Sequence, residues 1–307
     1  MNLYQLSRHL PADFRIELVD VGSAGGLHRR WRPFRQQITA LLFDPLDANL
    51  PAPGDRWFPV ALAAGPGQAT LHLTRRISMS STLLPNAAVL ASIQDKPGHT
   101  EIVKTINVAT DALDNIVARE ALRVDAVKID TQGGEFDILQ GARHCLQSSV
   151  VIAEVEVSMF ERYLGLRPFH EVVAMMQDQG LELIELSRIK RYRYQNQAGI
   201  RKSGMGGGDR PGRIAFADAL FLRNDRQLLA RLRAATAGGD RHAALRAVVL
   251  LLVYGKADLA AWVFDASADL LDASTANAVR RTLDGVRRRR FGRGALHLVL
   301  DYLARRV

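Results

Sequence analysis

The chain has 307 residues, of which 48% are hydrophobic and 24% are charged, and its formal net charge is +9. This length allows one large domain, or one domain of ordinary size with an appendage. The longest apolar run, AVVLLLVYG, falls well short of the roughly 18 residues of a membrane-spanning helix. The N-terminal sequence has no apolar stretch followed by a cleavage site, so we expect an unsecreted, cytoplasmic protein.

Cysteine and charge usage restrict the classes of partner. The single cysteine, Cys145, excludes an internal disulfide framework, and we interpret it as a buried or idle thiol. Nine arginines crowd the segment from Arg280 to Arg306, against only Asp284 and Asp301. This segment would attract phosphate-bearing partners, including an anionic inner-membrane surface, and a solvated helix surface explains it as simply. We expect no nucleic-acid partner, because the basic segment lacks interleaved aromatic residues that stack on bases.

Apolar segments of strand length alternate with helical patterns over the first 224 residues. The predicted strands are Ile16–Gly22, Ile38–Pro45, Trp57–Gly65, Ala69–Thr74, Thr100–Ala109, Asp125–Asp130, Val150–Val157, Leu181–Leu186 and Ala215–Leu222. Near-continuous Val, Ile and Leu runs between helices indicate a parallel sheet that is buried on both faces. The pattern therefore predicts a doubly wound α/β fold.

The chain changes character after Asn224. The preceding segment RKSGMGGGDRPGR, residues 201–213, has no apolar face and predicts a mobile loop between the last two strands. Beyond Asn224, apolar residues recur at spacings of three and four with glycines at the breaks, which predicts helices only. We therefore predict an α/β domain over residues 1–224 and a basic, all-α C-terminal appendage over residues 225–307.

Two strand ends carry residues suited to a nucleoside ligand, because open α/β sheets bind ligands beyond the carboxyl ends of their strands. The first strand ends in VDVGSAGG, which contains Asp20, Gly22 and Gly25, and glycines there let the backbone approach a ligand closely. The second strand ends at Asp44, whose carboxylate can accept hydrogen bonds from both ribose hydroxyls. The spacing G-x-x-G-G differs from the pyrophosphate-binding G-x-G-x-x-G, so an adenosine ligand without pyrophosphate fits best. A plain turn followed by a helix cap explains the same residues.

Later strand ends carry the candidate catalytic acids. Asp130 follows VKI at the end of a strand, where a carboxylate could orient a substrate hydroxyl or accept its proton. Glu135 starts the next helix, a position that the helix dipole and capping also favour. Glu154 and Glu156 lie two residues apart on one strand face, which is costly in a buried strand unless both are hydrogen-bonded.

Lys128 lies two residues before Asp130 on the same strand face. We interpret it as a partner that keeps neighbouring carboxylates ionised, and packing of its aliphatic stem fits equally. The sequence contains no phosphate-binding loop, no Ser/His/Asp order and no zinc spacing, and we predict no metal site.

Several motifs follow one another between Arg15 and Leu222, namely VDVGSAGG, LLFDPL, VALAAGPGQATLHLT, SMSSTLLPN, VKIDTQGGEFDILQGA, EVEVSMFERYLGLRPFHEV and FADALF. Their order resembles the FkbM family of S-adenosylmethionine-dependent methyltransferases. The resemblance implies a class I, Rossmann-like methyltransferase fold with a mostly parallel sheet. It also implies S-adenosylmethionine as cofactor and O-methylation of a hydroxyl on a sugar, glycan or natural-product acceptor. The family's pattern places the cofactor at Asp20, Gly22 and Gly25, with Asp44 at the ribose.

Methyl transfer to a hydroxyl needs a group that aligns the oxygen and helps to remove its proton. We predict Asp130 for this role, with Glu156 and Glu135 as alternatives. Two other functions share parts of the pattern. A nicotinamide-dependent oxidoreductase would use the same sheet and ribose acid, and a non-catalytic binding module would dock through the basic C-terminal segment.

Overall fold

The structure, a computed structural model, describes residues 2–22, 26–46, 52–201 and 210–287. The chain forms two compact units. One comprises residues 17–27 and 39–224, and the other comprises residues 1–16, 28–38 and 225–307. The second unit thus gathers the C-terminal helices together with two N-terminal segments that the sequence had assigned to the α/β domain. The predicted division into a methyltransferase domain over residues 1–224 and an appendage over residues 225–307 stays a prediction.

Within the described ranges there are ten strands, which largely follow the predicted apolar segments. They are β1 Ile16–Val21, β2 Ile38–Phe43, β3 Arg56–Phe58, β4 Ala61–Leu62, β5 Gly67–Thr74, β6 Ile102–Asp111, β7 Ala126–Ile129, β8 Ile152–Ser158, β9 Leu181–Tyr192 and β10 Arg213–Arg223.

Seven strands form the main sheet in the order β3-β2-β1-β7-β8-β10-β9. The pairs β2 with β3, β1 with β7, and β7 with β8 are parallel, whereas β10 is antiparallel to both of its neighbours. The chain leaves β1 in one direction along the sheet and returns to pair β7 on its other side. This reversal of strand order creates the crevice in which doubly wound sheets bind ligands.

One face of the main sheet is largely apolar. Val19 and Val21 of β1, Val127 and Ile129 of β7, and Val155 of β8 belong to one core cluster that also includes residues of the flanking helices. Their neighbours along each strand point to the opposite face, because side chains alternate along a strand. That opposite face carries Asp20 of β1, Lys128 of β7, and Glu154 and Glu156 of β8.

The prediction of a single parallel sheet is wrong for three of the strands. β4, β6 and β5 form a separate three-stranded sheet, in which β5 and β6 are antiparallel. The predicted strand Trp57–Gly65 divides into β3 and β4 on either side of Pro59, which has no amide hydrogen to donate to a sheet. β6 exposes most of its residues, consistent with polar side chains such as Lys104 and Asn107 that a doubly buried strand would not carry.

Helices connect the strands and form most of the described part of the second unit. They are α1 Leu3–Ser7, α2 Ala87–Leu90, α3 Lys96–His99, α4 Leu113–Arg119, α5 Glu135–Gln140, α6 Arg143–Ser148, α7 Phe169–Asp178, α8 Asp225–Ala237, α9 Ala243–Val253 and α10 Ala257–Ser267, and residues 273–287 are also helical.

The helical character of residues 225–287 agrees with the sequence prediction. α9 is apolar on all sides except at Arg246, and every one of its residues is buried, as expected for such a pattern. Within the described residues, no helix is long and apolar enough to cross a membrane. The predicted last helix, and residues 202–209 of the predicted glycine-rich loop, lie outside the described residues.

Candidate active site

A cavity of about 700 Å³ lies at the carboxyl ends of β1, β2 and β7. Gly22 and Asp44, which follow β1 and β2, line it together with Asp130, Gln132 and Glu156. We call the last three residues the acidic floor. The structure thus brings two predicted cofactor residues and two predicted catalytic residues to one cavity.

Gly22 lets the turn after β1 press against the end of β7. Its φ is 74°, in the left-handed region, and its amide donates a hydrogen bond of 3.0 Å to the carbonyl oxygen of Phe43. A Cβ atom at this position would lie 2.1 Å from the carbonyl oxygen of Asp130. No side chain fits there, so glycine is required both for the turn and for the close approach.

Asp44 is buried at the end of β2, where its Oδ1 accepts a hydrogen bond of 2.8 Å from the amide of Leu46. Burial raises the pKa of this carboxyl above its usual value, although the amide of Leu46 opposes the rise. The bond to Leu46 shows that Asp44 organises its own turn, and no helix follows this turn among the described residues. The same carboxyl also faces the cavity, so the ribose role is compatible with this geometry.

Asp20 lies inside β1 and does not line the cavity. Its Oδ1 is 3.1 Å from Nζ of Lys128, which is directly opposite it in the parallel β1–β7 register. Burial raises the pKa of Asp20, and Lys128 opposes this rise. For Lys128, the negative charges of Asp20, Asp130 and Glu154 outweigh the effect of burial and raise its pKa. Lys128 therefore acts as a cationic partner within the sheet, and a direct contact of Asp20 with the cofactor stays a prediction.

Gln132 joins the two carboxylates of the acidic floor. Its Nε2 lies 3.1 Å from Oδ1 of Asp130 and 3.1 Å from each carboxylate oxygen of Glu156. The backbone of Gln132 has a φ of 62°, an uncommon conformation for a residue other than glycine. The amide in the TQGGE segment therefore holds two acids side by side, a role that the sequence pattern alone did not reveal.

Arg162 fixes the far side of Glu156. Its guanidinium lies 2.7 Å from Oε1 of Glu156 and donates two bonds, of 2.8 and 2.9 Å, to Oγ of Ser158. The Arg162 side chain is 1% exposed, so this ion pair is desolvated. Burial, reinforced by the charges of Asp130 and Glu135, raises the pKa of Glu156 to about 8, even though Arg162 opposes the rise.

Glu135 is a structural residue of the turn that follows β7. Its carboxylate accepts hydrogen bonds from the amide and hydroxyl of Thr131 at 2.9 and 3.2 Å, and from the amide of Gly133 at 2.9 and 3.1 Å. Burial raises the pKa of Glu135, and these amide hydrogen bonds oppose the rise. Glu135 is buried and does not line the cavity, so its geometry favours the capping interpretation over proton transfer.

The remaining buried acids of this sheet face are also paired. Glu154 lies opposite Lys128 in the β7–β8 register, and a guanidinium nitrogen of Arg188 lies 3.9 Å from its Oε1. Arg188 also forms an ion pair with Asp218 of β10. The expected cost of burying Glu154 and Glu156 is thus offset by cationic and hydrogen-bonding partners.

Three further predictions concern Gly25, a metal site and Cys145. Gly25 lies outside the described residues, so its predicted cofactor contact stays a prediction. Over the described ranges, no group of three or more His, Cys, Asp and Glu side chains has the geometry to hold a metal ion. Cys145 is buried, and burial raises its pKa, so the thiol is held in its neutral form.

The fold and the cavity define the class of the protein. A mostly parallel seven-stranded sheet with an antiparallel β10, a glycine turn after β1 and an acid after β2 is the architecture of class I, S-adenosylmethionine-dependent methyltransferases. A family model described as the methyltransferase FkbM domain matches residues 29–183, about half of the chain. The chain belongs to this family, which confirms the resemblance seen in the sequence motifs.

Solved structures of methyltransferases also match, at low similarity. The methyltransferase FkbM of Methylobacillus flagellatus is 12% identical with a TM-score of 0.35, covering 72% of this chain and 48% of that one. A TehB-like SAM-dependent methyltransferase of Corynebacterium glutamicum is 12% identical with a TM-score of 0.30, covering 73% and 89%. The 1,6-didemethyltoxoflavin-N1-methyltransferase of Burkholderia thailandensis is 9% identical with a TM-score of 0.28, covering 73% and 78%.

This chain therefore spans about half the length of the Methylobacillus protein. Similarity at this level carries no information about the acceptor. No curated protein matches the chain.

Proposed function

We propose that the protein is an O-methyltransferase that transfers the methyl group of S-adenosylmethionine to a hydroxyl of a sugar, glycan or natural-product acceptor. One observation carries this proposal. Asp130, backed by Gln132 and Glu156, lines the same cavity as Gly22 and Asp44. A carboxylate that can hold a hydroxyl and the residues suited to an adenosine cofactor therefore share one cavity.

Gly22 and Asp44 fit the adenosine end of the cofactor. The turn at Gly22 presents backbone without a Cβ atom, and Asp44 can accept hydrogen bonds from ribose hydroxyls. The Asp20–Lys128 pair stands directly behind this turn and fixes the end of β1. When bound, S-adenosylmethionine supplies a methyl group that is already activated by its sulfonium.

Asp130 is the group that we place on the acceptor hydroxyl. It is half-buried and open to the cavity, and its Oδ1 is held by Gln132 at 3.1 Å. The carboxylate can orient the hydroxyl and take up its proton, a contribution of about 10² to 10⁴ in rate for general bases. Gln132 fixes the rotamer of Asp130, and Glu156 with Arg162 in turn fixes Gln132. The floor thus reaches reacting geometry without rearrangement.

The other two candidate acids are less suited to proton transfer. Both oxygens of Glu156 already contact Gln132, and Oε1 also contacts Arg162. The carboxylate of Glu135 is used by the turn. Glu156 is consequently a positioning residue for Asp130 in this mechanism, with its own proton transfer as the alternative.

Binding of S-adenosylhomocysteine tests the cofactor assignment. We expect calorimetry to detect binding, and we expect the Asp44→Ala variant to bind about tenfold more weakly because the ribose loses a charge-assisted hydrogen bond. Asp137→Ala, which removes an exposed acid of α5, is the matched control and should bind as the wild type does. No binding at millimolar ligand would refute the proposal, and binding of a nicotinamide dinucleotide instead would favour the oxidoreductase.

The segment from Arg280 to Arg306 extends beyond the described residues, and its contact with an anionic membrane surface remains a separate proposal. Flotation of the full chain with anionic vesicles tests it. Binding that is lost at high salt would support an electrostatic contact, and no flotation with anionic vesicles at low salt would refute it.

A further inference from the structure

The cavity carries charges of both signs, because basic side chains from other segments of the chain line it together with the acidic floor. Arg76, Lys96, Lys190 and Arg193 all contribute to this lining. We call these four residues the basic wall. His99 and Arg191 also line the cavity, as does the acidic residue Asp95.

The basic wall is assembled from three separate segments of the chain. The amide of Arg76 donates a hydrogen bond of 3.1 Å to the carbonyl oxygen of His99, which connects the segment after β5 to α3. The amide of Gln94 donates a bond of 2.9 Å to the carbonyl oxygen of Arg193, which connects the segment before α3 to the end of β9. Nζ of Lys96 lies 4.3 Å from the centre of the Tyr192 ring. These contacts make the convergence of cations a built feature of the fold.

The charges of the basic wall are poorly compensated within the protein. Among the described residues, none of its four members forms an ion pair, whereas neighbouring Arg75 is paired with Glu101 at 2.7 Å. Lys96 is half-buried, and burial lowers its pKa, as do the positive charges of Arg76 and Arg162. Asp95 opposes this effect only in part. Bringing cations together at a cavity with so little counter-charge is unfavourable, and an anionic ligand relieves the repulsion.

We infer that the acceptor of this methyltransferase carries a phosphate group, which the basic wall binds while the hydroxyl to be methylated points to Asp130. The inference rests on the proposed function, because it identifies the acceptor class of the same site. Lysine and arginine together supply the point charge and the fork-shaped donors with which proteins bind phosphate oxygens. Exposed Arg76, Lys190 and Arg193 can adjust to the group, and half-buried Lys96 anchors it.

The polarity of the cavity also sets the orientation of the acceptor. A phosphate is attracted to the basic wall and repelled by the carboxylate of Asp130, which favours one orientation of a molecule that carries both a phosphate and a hydroxyl. A phosphate carries close to two negative charges at neutral pH, against one for a carboxylate. Four cations around a single wall match the larger charge.

Calorimetry on the full chain saturated with S-adenosylhomocysteine provides the test. The probes are inorganic phosphate and inorganic pyrophosphate, followed by a hexose 6-phosphate, a nucleoside-diphosphate hexose, the neutral hexose and a hexuronate. We expect the phosphate-bearing probes to bind and the neutral hexose not to. Tighter binding of phosphate and the hexose phosphate indicates a monoester acceptor, and tighter binding of pyrophosphate and the nucleoside-diphosphate hexose indicates a diphosphate-linked one. Equal binding of the hexuronate would overturn the assignment to phosphate.

The double variant Arg76→Met, Lys96→Met should weaken binding of the phosphate probes by about 100-fold, at roughly tenfold for each charge-assisted contact. Arg75→Met is the matched control, because Arg75 adjoins Arg76 but is paired with Glu101 outside the cavity lining. Its binding should equal that of the wild type.

Binding of S-adenosylhomocysteine is measured in each variant first. If the wild type does not bind S-adenosylhomocysteine, the proposed function is rejected. Retained S-adenosylhomocysteine binding, with phosphate binding absent or insensitive to the double variant, would reject this inference alone. A double variant that no longer binds S-adenosylhomocysteine is replaced by the single variants Arg76→Met and Lys96→Met, each of which should lose about tenfold in phosphate binding.

Discussion

The acidic floor and the basic wall line one cavity but differ in how their charges are compensated. In the floor, Glu156 is held by Gln132 and Arg162, and Asp130 is held by Gln132. In the wall, Lys96 faces other cations, with Asp95 as its only opposing charge among the causes of its shifted pKa. A catalytic group needs one fixed geometry, so its partners belong to the protein. A ligand-binding group needs a charge that the protein leaves uncompensated, because the ligand then supplies the opposite charge.

The largest effect should come from Asp130→Asn, which tests whether the floor carries the chemistry. Without a carboxylate at the hydroxyl, we expect kcat to fall by about 10² to 10⁴. S-adenosylhomocysteine binding should be retained, since Asp130 acts on the acceptor. The control Asp178→Asn removes an exposed acid at the end of α7 and should leave kcat unchanged. An Asp130→Asn enzyme with wild-type kcat would contradict the assignment and move the chemistry to Glu156.

Breaking the ion pair behind the floor should have the next largest effect. In Arg162→Met at pH 9, the buried Glu156 carboxylate loses its cationic partner, which should reduce the free energy of unfolding by about 3–5 kcal/mol. Urea unfolding measures this loss. Arg167→Met breaks the exposed pair with Glu171 and should cost less than about 1 kcal/mol. Similar losses in both variants would show that the floor is no more rigid than the surface.

Gly22→Ala tests how far the floor depends on the turn after β1. The new Cβ would collide with the carbonyl oxygen of Asp130, and the positive φ adds strain of about 1–3 kcal/mol. We therefore expect a loss of that order in the free energy of unfolding, with weaker S-adenosylhomocysteine binding as the turn moves. Gly65→Ala meets no atom within 4 Å and should leave the stability unchanged. A Gly22→Ala protein as stable as the wild type would show that Gly22 does not lie in close contact with the carbonyl oxygen of Asp130.

The smallest effect should be in the pH dependence of stability. The pKa of Glu156 is raised to about 8 from about 4.5, so folding favours the protonated acid. This contribution is fully present below pH about 4.5 and is lost as the pH rises through about 8. Between pH 7 and 9 we expect the free energy of unfolding to fall by about 1 kcal/mol from this group. Glu156→Gln cannot titrate and should flatten the curve, and a wild-type curve that is already flat would mean that Arg162 keeps Glu156 ionised throughout.

Much of the α/β framework follows from local pattern. Long Val, Ile and Leu runs identify the buried strands, and the acid at the end of VKI places Asp130 at a ligand crevice because strand ends meet there. The three-stranded sheet was missed because its strands are as apolar in places as those of the main sheet. Pro59 and the polar residues of β6 were the available signals.

The interaction partners of the site residues could not be predicted from local pattern, because each partner depends on which strands become neighbours. Gln132 and Glu156 lie 24 positions apart and meet because β7 pairs with β8. Nothing in the spacing of Arg162 distinguishes it from a surface arginine. The basic wall likewise comes from three segments whose charges look ordinary when taken separately.

The amino-acid pattern predicts a doubly wound α/β sheet, with glycine and acid at the ends of β1 and β2 and Asp130 after β7, because these features depend on periodicity and on residues adjacent in the chain. Which charges are neutralised follows only from the folded chain. Ion pairing and desolvation depend on distances across strands and loops, and those distances separated a paired acidic floor from an unpaired basic wall in one cavity.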